Sequence, residues 1–399
     1  MKHSKLILPV IVISQFCCTS LWFAGNGVIN DLVINFDLNE SALGHLTSAV
    51  QFGFIIGTLV FAILTIADRF SPSKVFFISA ILGSLFNLGV ITEANNLTSL
   101  LLLRFFTGFF LAGIYPVGMK IAADYYEKGL GKSLGFLVGA LVLGTALPHL
   151  LKEMTATFAW ESVLMATSYL AMFGGVLMVI LVPDGPFRKS SQRTDLSAFF
   201  SVFQNRKFRS AAFGYFGHMW ELYAFWAFVP IMLKTYSIEH PQAIFNIPLL
   251  SFLIIGIGGL SCVLGGYLTQ TAGAKRIAFI ALLLSCGCCL ISPLIFSSEF
   301  ESLFIGFLIF WGMVVIADSP LLSTLVAQNA SAEIKGTALT IVNCIGFSIT
   351  IISIQLITVM IELTDSNGIY TILALGPILG LIALRRKDKT TVPKKPKLH

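Results

Sequence analysis

The sequence has few charged residues. Only 12% of its 399 residues are Asp, Glu, Lys or Arg, against roughly 25% in ordinary soluble domains, so a water-facing surface cannot be built from them. Hydrophobic residues make up 56% and the mean hydropathy is +0.86. Each bilayer crossing takes about 20 apolar residues. The composition therefore excludes a soluble enzyme and predicts a polytopic membrane protein with about twelve crossings.

Recognisable catalytic motifs are also missing from the sequence. It has no nucleotide-binding loop, no HExxH motif and no convincing nucleophile triad, so we expect neither an enzyme nor a cofactor. All seven cysteines fall within apolar segments, and three of them cluster at Cys286, Cys288 and Cys289. Three thiolates in hydrocarbon would be costly. We therefore interpret the cysteines as packing residues and expect no metal site and no disulfide framework.

Twelve apolar segments follow one another along the chain. We number them spans 1 to 12; they lie near 6–30, 46–66, 75–93, 98–122, 133–150, 161–182, 210–233, 247–268, 276–297, 302–326, 337–361 and 368–384. Span 1 follows Lys2 and Lys5 like a signal sequence, but it has no small-residue cleavage site. We expect it to remain as the first membrane helix.

The basic residues alternate between the loops. With a cytoplasmic N-terminus, 22 of the 26 Lys and Arg lie in inner loops and tails, while Lys152 and Lys234 lie outside. By the positive-inside rule this bias predicts a multi-pass inner-membrane protein with both termini in the cytoplasm. The net charge of +6 is then a topology signal and predicts no nucleic-acid partner. We expect the basic tail to be solvated, with contact to anionic lipid as the alternative.

A long polar interval divides the chain into two similar halves. The predicted units are a six-helix bundle at 1–183, a cytoplasmic linker at 184–209, a second six-helix bundle at 210–384 and a basic cytoplasmic tail at 385–399. The loop after span 2 holds Asp68, Arg69 and Lys74, and the loop after span 8 holds Gly273, Lys275 and Arg276 in matching places. Repeats of about 200 residues with six spans each are typical of transporters.

These two loops resemble the paired GxxxDRxGRR signatures of the major facilitator superfamily. The first copy departs from the signature at Leu64 and Ser71, and the second has Gln270 in place of the acid. The resemblance covers the whole chain and implies an all-α membrane fold, with twelve transmembrane helices in two pseudo-symmetric six-helix bundles. It also implies a secondary transporter that alternates between two open states.

The resemblance further implies a cytoplasmic gate. Asp68 is expected at the N-terminus of span 11, just after Gly336, where the helix dipole favours an anion. Arg69 or Lys74 is expected to pair with Asp124 or Glu127 at the inner end of span 4. The alternative is that Arg69 and Lys74 act only as topology determinants. The predicted gate residues are Asp68, Arg69, Lys74, Lys120 and Asp124.

Ionisable residues inside spans each cost roughly 2.5–3.5 kcal/mol on insertion scales, so each needs a reason. They are Arg104 and Lys120 in span 4, His218 and Glu221 in span 7, and Asp318 in span 10. Superfamily members line their central cavity chiefly with spans 1, 4, 7 and 10, which implies that these residues face such a cavity. Lys120 lies one turn before Asp124, so an ion pair there competes with a role in ligand binding.

The predicted functional residues follow from helical phase and side-chain chemistry. Glu221 and Asp318 are the candidate proton carriers, because a buried carboxyl group in low dielectric readily takes up a proton. The alternative is that they form structural ion pairs, for instance with Arg104. The predicted solute-binding residues are Trp22, Asn26, Arg104, Tyr115, His218, Trp311 and Asn343, although aromatic residues on membrane helices often only pack. The forked guanidinium of Arg104 favours an anionic or zwitterionic solute.

The sequence thus predicts a proton-coupled secondary transporter of a small organic solute that functions as a monomer in the bilayer. A proton-driven exporter of drugs or metabolites is the first alternative. Gly135, Gly139 and Gly144 in span 5 resemble the glycine signature of drug antiporters, but Pro148 and His149 stand where that signature has Gly-Pro. A membrane-embedded enzyme and a receptor are weaker alternatives, because neither needs paired six-span halves with interior acids.

Overall fold

The computed structural model describes residues 6–126, 130–188, 202–331, 335–364 and 366–385, and all regular structure in these ranges is helical. The predicted all-α architecture is confirmed. In the first half, the helices are Ile7–Thr19, Ala24–Gly27 and Ile29–Asn35 (span 1), Ala42–Ile63 (span 2), the short Ile66–Arg69, Pro72–Gly89 (span 3), Leu97–Leu111 and Tyr115–Tyr125 (span 4), Leu130–Met154 (span 5) and Glu161–Leu181 (span 6).

The second half repeats this arrangement. Its helices are Arg206–Glu239 (span 7), Ile247–Ala272 (span 8), Ala274–Phe296 (span 9), Glu301–Ala317 and Ser319–Asn329 (span 10), Lys335–Leu363 (span 11), and a 3-10 turn at Asn367–Ala374 leading into Leu375–Arg385 (span 12). Since the number of spans is even, residues 6 and 385 lie at one face of the membrane domain, which we call the termini face. The predicted domain boundaries stay predictions, and 189–201 and 386–399 lie outside the described residues.

Ten helices in the described part of the chain are long and apolar enough to cross a membrane. Spans 1 and 7 are the exceptions, for different reasons. The longest helix of span 1, Ile7–Thr19, is too short to cross alone. Span 7 has 34 residues, but polar and charged side chains interrupt its apolar run. Those side chains must therefore find their hydrogen-bond partners in the interior of the protein, because lipid offers none.

Spans 1, 4 and 10 are broken near their middles. Pro116 and Pro320 occupy the first turn of the second helix in spans 4 and 10, where the missing N–H of proline has no cost. Span 1 breaks between Thr19 and Ala24 without a proline. Each break frees backbone carbonyl groups inside the membrane domain, and these need hydrogen-bond donors from other spans.

The two halves pack against each other through two pairs of spans. Span 5 crosses span 8 at Gly139 and Gly259, where a Cβ on either glycine would lie 3.1 Å from the carbonyl oxygen of the other. Span 2 packs along span 11, and Nε2 of Gln355 donates to Oγ of Ser48 over 2.8 Å. The small residues at the first contact bring two backbones close together. Both contacts join helices from opposite halves, so any rocking of the halves must occur across them.

Candidate functional site

Glu221 lies in the interior of the second half with 1% of its surface exposed. Three donors converge on its Oε1 atom: Oγ of Ser285 at 2.5 Å, Nε1 of Trp311 at 2.6 Å and Sγ of Cys289 at 3.3 Å. Ser285 and Cys289 are one turn apart on span 9, and Trp311 comes from span 10. The carboxyl group is thus held by neutral donors. No Lys or Arg lies within ion-pair distance of it among the described residues.

His218 and Asp318 form a second buried polar group, one turn from Glu221 along span 7. Nδ1 of His218 lies 2.8 Å from Oδ1 of Asp318, and each side chain is 1% exposed. The contact lacks the alignment of a hydrogen bond, and Nε2 of His218 and Oδ2 of Asp318 have no hydrogen-bond partner within the described ranges. Asp318 sits at the break in span 10, where its carbonyl oxygen accepts from the N–H groups of Leu321 and Leu322. His218 and Asp318 thus form a buried polar pair that joins spans 7 and 10.

An aromatic cluster, formed by Trp22, Phe54, Tyr115, Tyr223 and Phe347, fills the centre between the halves. Trp22 lies 5.7 Å from Phe347 with near-parallel rings, 5.8 Å from Tyr223 and 4.8 Å from Phe54 between ring centroids. Tyr115 meets Trp22 edge-on at 6.4 Å. The five rings come from spans 1, 2, 4, 7 and 11. Trp22 and Tyr115, both predicted solute-binding residues, therefore meet at the interface of the two halves.

Arg104 is buried beside this cluster with 1% exposure, but it does not pair with either acid. Its Nη2 atom donates to the carbonyl oxygens of Trp22 at 2.7 Å and Leu21 at 3.2 Å, and its Nη1 atom donates to Oδ1 of Asn87 at 2.9 Å. These carbonyls belong to the break in span 1. The alternative of an ion pair between Arg104 and Glu221 or Asp318 is wrong for this conformation. The guanidinium instead supplies the donors that the broken span needs.

The remaining predicted solute-binding residues are distributed around this centre. Trp311 is fully buried and holds Glu221, as described above. Asn343 accepts a hydrogen bond at Oδ1 from the hydroxyl of Tyr215 over 3.1 Å, and the Tyr215 ring lies 6.1 Å from that of His218. Asn26 donates to Oγ1 of Thr47 over 2.9 Å. The structure thus joins Asn343 to the His218 group, whereas Asn26 bonds within the first half.

The predicted gate residues lie at the termini face, in contacts that stay within the first half. Nζ of Lys120 lies 2.8 Å from Oδ1 of Asp68 and 3.7 Å from Oδ1 of Asp124. Arg188 pairs with Asp184 and also donates to the carbonyl oxygen of Asp68 at 2.9 Å. This network ties the loop after span 2 to span 4 and to the start of the segment between the halves.

Two expected gate contacts differ from the observed ones. Among the described residues, Asp68 makes no contact with the start of span 11, where a Cβ on Gly336 would have no neighbour within 4 Å. Arg69 donates to Oγ1 of Thr65 instead of pairing with Asp124, and Lys74 is exposed. Lys120 lies one turn before Asp124, but its ammonium group is closer to Asp68, at 2.8 Å, than to Asp124, at 3.7 Å. Glu127 lies outside the described residues, and the gating roles stay predictions.

Several partners of the buried charges were missed by the sequence reasoning. Asn87, Ser285 and Cys289 lie on spans 3 and 9, outside the four spans that the resemblance implies for the cavity. Ser285 and Cys289 could have been identified from the sequence, because small polar residues one turn apart share a helix face. A buried carboxyl group needs such donors. Asn87 could not have been identified in this way, since a single Asn in an apolar span can serve many structural roles.

Comparisons with known proteins agree with this architecture. Residues 11–354 match the profile of the Major Facilitator Superfamily. The structure of the proton:xylose symporter XylE bound to 6-bromo-6-deoxy-D-glucose superimposes with a TM-score of 0.73 at 15% identity, covering 94% of both chains. A mutant of the nucleoside transporter NupG gives 0.71 at 14% identity, covering 95% of this chain and 98% of that one. These structures show that the predicted fold, two six-helix bundles, is correct.

Curated relatives match over shorter stretches. A putative niacin/nicotinamide transporter, NiaP of Bacillus subtilis (strain 168), is 25% identical over 40% of this chain and 39% of its own length. The 4-hydroxybenzoate transporter PcaK of Pseudomonas aeruginosa is 26% identical over 38% of this chain and 34% of its own. The efflux pump FUB11 of Gibberella moniliformis is 27% identical over 44% and 30%. The chain therefore aligns with less than half the length of each of these relatives.

The profile match covers most of the chain, and the solved structures reproduce its helices from end to end. The match confirms the predicted family, which is one of transporters rather than enzymes, and the ten apolar helices agree with a multi-pass membrane protein. The chain belongs to the Major Facilitator Superfamily.

Proposed function

We propose that the protein is a proton-coupled secondary transporter of a small aromatic solute, with the solute bound between the two halves. The observation that carries this proposal is the burial of Glu221, His218 and Asp318 without a fixed cation beside them in the described residues. Such groups are costly in a membrane and are commonly part of an ion or proton pathway. Glu221 and His218 lie on span 7 together with Tyr223 of the central aromatic cluster, which favours coupling to the solute.

The chemistry of the two acids supports a proton as the coupling ion. A carboxyl group in low dielectric is most stable when neutral, unless a cation or several donors hold its charge. Glu221 has three neutral donors on one oxygen. Asp318 has only His218 within ion-pair distance among the described residues. A change in water access to either group would therefore load or release a proton.

The aromatic cluster supports a flat solute. A ring entering between Trp22, Tyr223 and Phe347 would replace their mutual stacking with stacking on the solute, so little contact energy is lost. Two of the relatives are named for niacin or nicotinamide and for 4-hydroxybenzoate, which are small aromatic compounds. The preference for an anion depended on a free guanidinium at Arg104, whose donors are occupied. We therefore propose that the ring, rather than a negative charge, is the main determinant.

Exchange in proteoliposomes tests the transport proposal. Vesicles preloaded with unlabelled niacin, nicotinamide or 4-hydroxybenzoate should take up the labelled compound, and an inward proton gradient should raise accumulation in a protonophore-sensitive way. Niacin and nicotinamide share a ring and differ in charge, so similar competition by both supports recognition of the ring. Absence of exchange with every aromatic compound would reject the solute class. Accumulation that does not respond to the proton gradient would reject the coupling.

Export is the alternative direction, and the similarity to the efflux pump FUB11 favours it. The same vesicles distinguish the two directions when the gradient is reversed, because an antiporter releases solute against an inward flow of protons. We further propose an inner-membrane monomer with cytoplasmic termini, supported by the 22 basic residues on that side. Labelling of a cysteine introduced after Arg385 in right-side-out and inverted vesicles tests this orientation.

A further inference from the structure

A cavity opens at the termini face of the second half, away from the central cluster. It has a volume of about 610 Å³ and lies between the ends of spans 7, 9, 10 and 12. Its polar lining consists of Arg206, Lys207, Arg209, Ser210, Lys275, Gln328 and Asn329. An adjoining cavity of about 620 Å³ shares Lys275 and adds Arg276 and Arg385. No acidic residue lines either cavity within the described part of the chain.

In the corresponding region of the first half, two basic residues have carboxylate partners. There, Lys120 pairs with Asp68 and Arg188 pairs with Asp184. In the second half, Gln270 stands where the first half has Asp68. The described residues place no carboxylate within 4 Å of Lys275 or Arg276. Like charges held close together raise the free energy of the folded state, so binding of an anion would stabilise this cluster.

The apolar walls of the cavity show what kind of anion fits. Phe213, Leu379 and Ile382 line it and are between 46% and 55% exposed, so they continue the outer surface of spans 7 and 12. In a membrane that surface meets acyl chains. A soluble phosphate would use the basic groups but leave this wall bare. A ligand with a charged head and hydrocarbon chains satisfies both parts of the lining.

We propose that this cavity binds the headgroup of an anionic phospholipid from the leaflet at the termini face. Arg206, Arg209 and Lys275 surround the phosphodiester, and the acyl chains leave past Phe213 and Leu379 toward the bilayer. Arginine suits this role because its planar fork presents paired donors to phosphate oxygens. The lipid serves as the missing acid of the second half and holds the ends of spans 7, 9 and 12 together.

Lipid titration of the purified protein tests the proposal. Phosphatidylglycerol added to the full chain in a neutral detergent should raise its thermal unfolding midpoint, and native mass spectrometry should show the retained lipid. Phosphatidylcholine and soluble glycerol 3-phosphate serve as the two comparison ligands. An equal shift with phosphatidylcholine would mean that charge is irrelevant. An equal shift with glycerol 3-phosphate would mean that the site takes a free phosphate. Either result overturns the lipid proposal.

Substitutions locate the site. The double variant Arg206→Gln with Lys275→Gln should weaken phosphatidylglycerol binding about 25-fold, taking about 1 kcal/mol for each basic residue near an anionic lipid. Lys335→Gln is the matched control, because Lys335 lies at the start of span 11 but lines neither cavity. Equal weakening by Lys335→Gln would show a diffuse surface effect. Loss of the shift on truncation after Arg385, with the cavity intact, would assign binding to the tail. Both outcomes contradict the proposed cavity.

Discussion

At the scale of single residues, the second half isolates a carboxyl group among neutral donors. Three donors meet at Oε1 of Glu221, and two of them come from one face of span 9. A neutral amide at this position can accept the same bonds through its carbonyl oxygen. Replacing Glu221 with Gln therefore separates the proton-carrying role from the structural one.

We expect Glu221→Gln to fold normally and to keep solute exchange, but to lose accumulation driven by a proton gradient. The substitution keeps an acceptor for Ser285 and Trp311 and removes the titrating group. Counterflow and gradient-driven uptake, measured in the same vesicles, check this. Ser285→Ala, which removes one donor but keeps the acid, is the control and should retain coupling. Wild-type accumulation by Glu221→Gln would assign coupling to the His218–Asp318 pair alone or to no proton at all.

Arg104 illustrates a different use of a buried charge. Its guanidinium donates to two carbonyl oxygens of the break in span 1 and to Asn87, and Asn87 itself donates to Oγ of Ser168. A lysine has no planar fork and cannot reproduce this set of bonds. At least one buried carbonyl oxygen would then lose its donor.

Arg104→Lys should lower the free energy of unfolding by about 1–3 kcal/mol, the usual range for leaving a buried polar group unpaired. Thermal unfolding in detergent measures the loss. The opposite pattern, with unchanged stability and abolished solute binding, would restore the predicted role of Arg104 as a solute ligand. Lys234→Gln, a substitution of a basic residue at the far end of span 7, controls for a general effect of removing charge.

At the scale of helices, the positions of the breaks were only partly predictable. Pro116 and Pro320 mark the second halves of spans 4 and 10, since proline fits the first turn of a helix and is disfavoured in its interior. Proline alone does not predict a break, because Pro148, Pro230 and Pro293 lie inside continuous helices. The break in span 1 could not be predicted, because it depends on donors from Arg104, more than 80 residues away along the chain.

The crossing of spans 5 and 8 is the element-level contact between the halves that is easiest to perturb. A Cβ on Gly259 would meet the Gly139 carbonyl oxygen at 3.1 Å and the Leu143 side chain at 3.2 Å. We expect Gly259→Val to slow solute exchange more than it lowers stability, because overpacking here acts across the surface over which the halves move. Exchange rates and unfolding midpoints give the comparison. Gly287→Ala, in open space on span 9, is the control. Unchanged exchange by Gly259→Val would show that this crossing stays fixed during transport.

At the scale of the whole molecule, composition and charge distribution determined most of what could be predicted. Twelve spans and two similar halves follow from hydropathy and from the paired loops. The site was only partly predictable. Burial of Glu221 and Asp318 follows from their positions in spans, but the pairing of Asp318 with His218 depends on how spans 7 and 10 cross. Helical phase within one span contains no such information.

The predicted gate at the termini face also belongs to this scale. Asp68 pairs with Lys120, and both side chains are about a quarter exposed, so the pair contributes at most about 1 kcal/mol to stability. We expect Asp68→Asn to slow exchange markedly while lowering stability by less than that amount. Exchange kinetics and thermal unfolding test both parts. Glu93→Gln, which removes an exposed acid at the opposite end of the first half, is the comparison. Normal exchange by Asp68→Asn would exclude a gating role for this loop.

The stack of Trp22, Tyr223 and Phe347 has a consequence for the cell as a whole. These rings are contributed by both halves and meet at the middle of the protein. Aromatic carbon at this place disfavours a continuous file of water through the protein in this conformation. Under the proposed proton coupling, protons would cross only when a solute displaces the rings, so the resting protein would not drain the ion gradient.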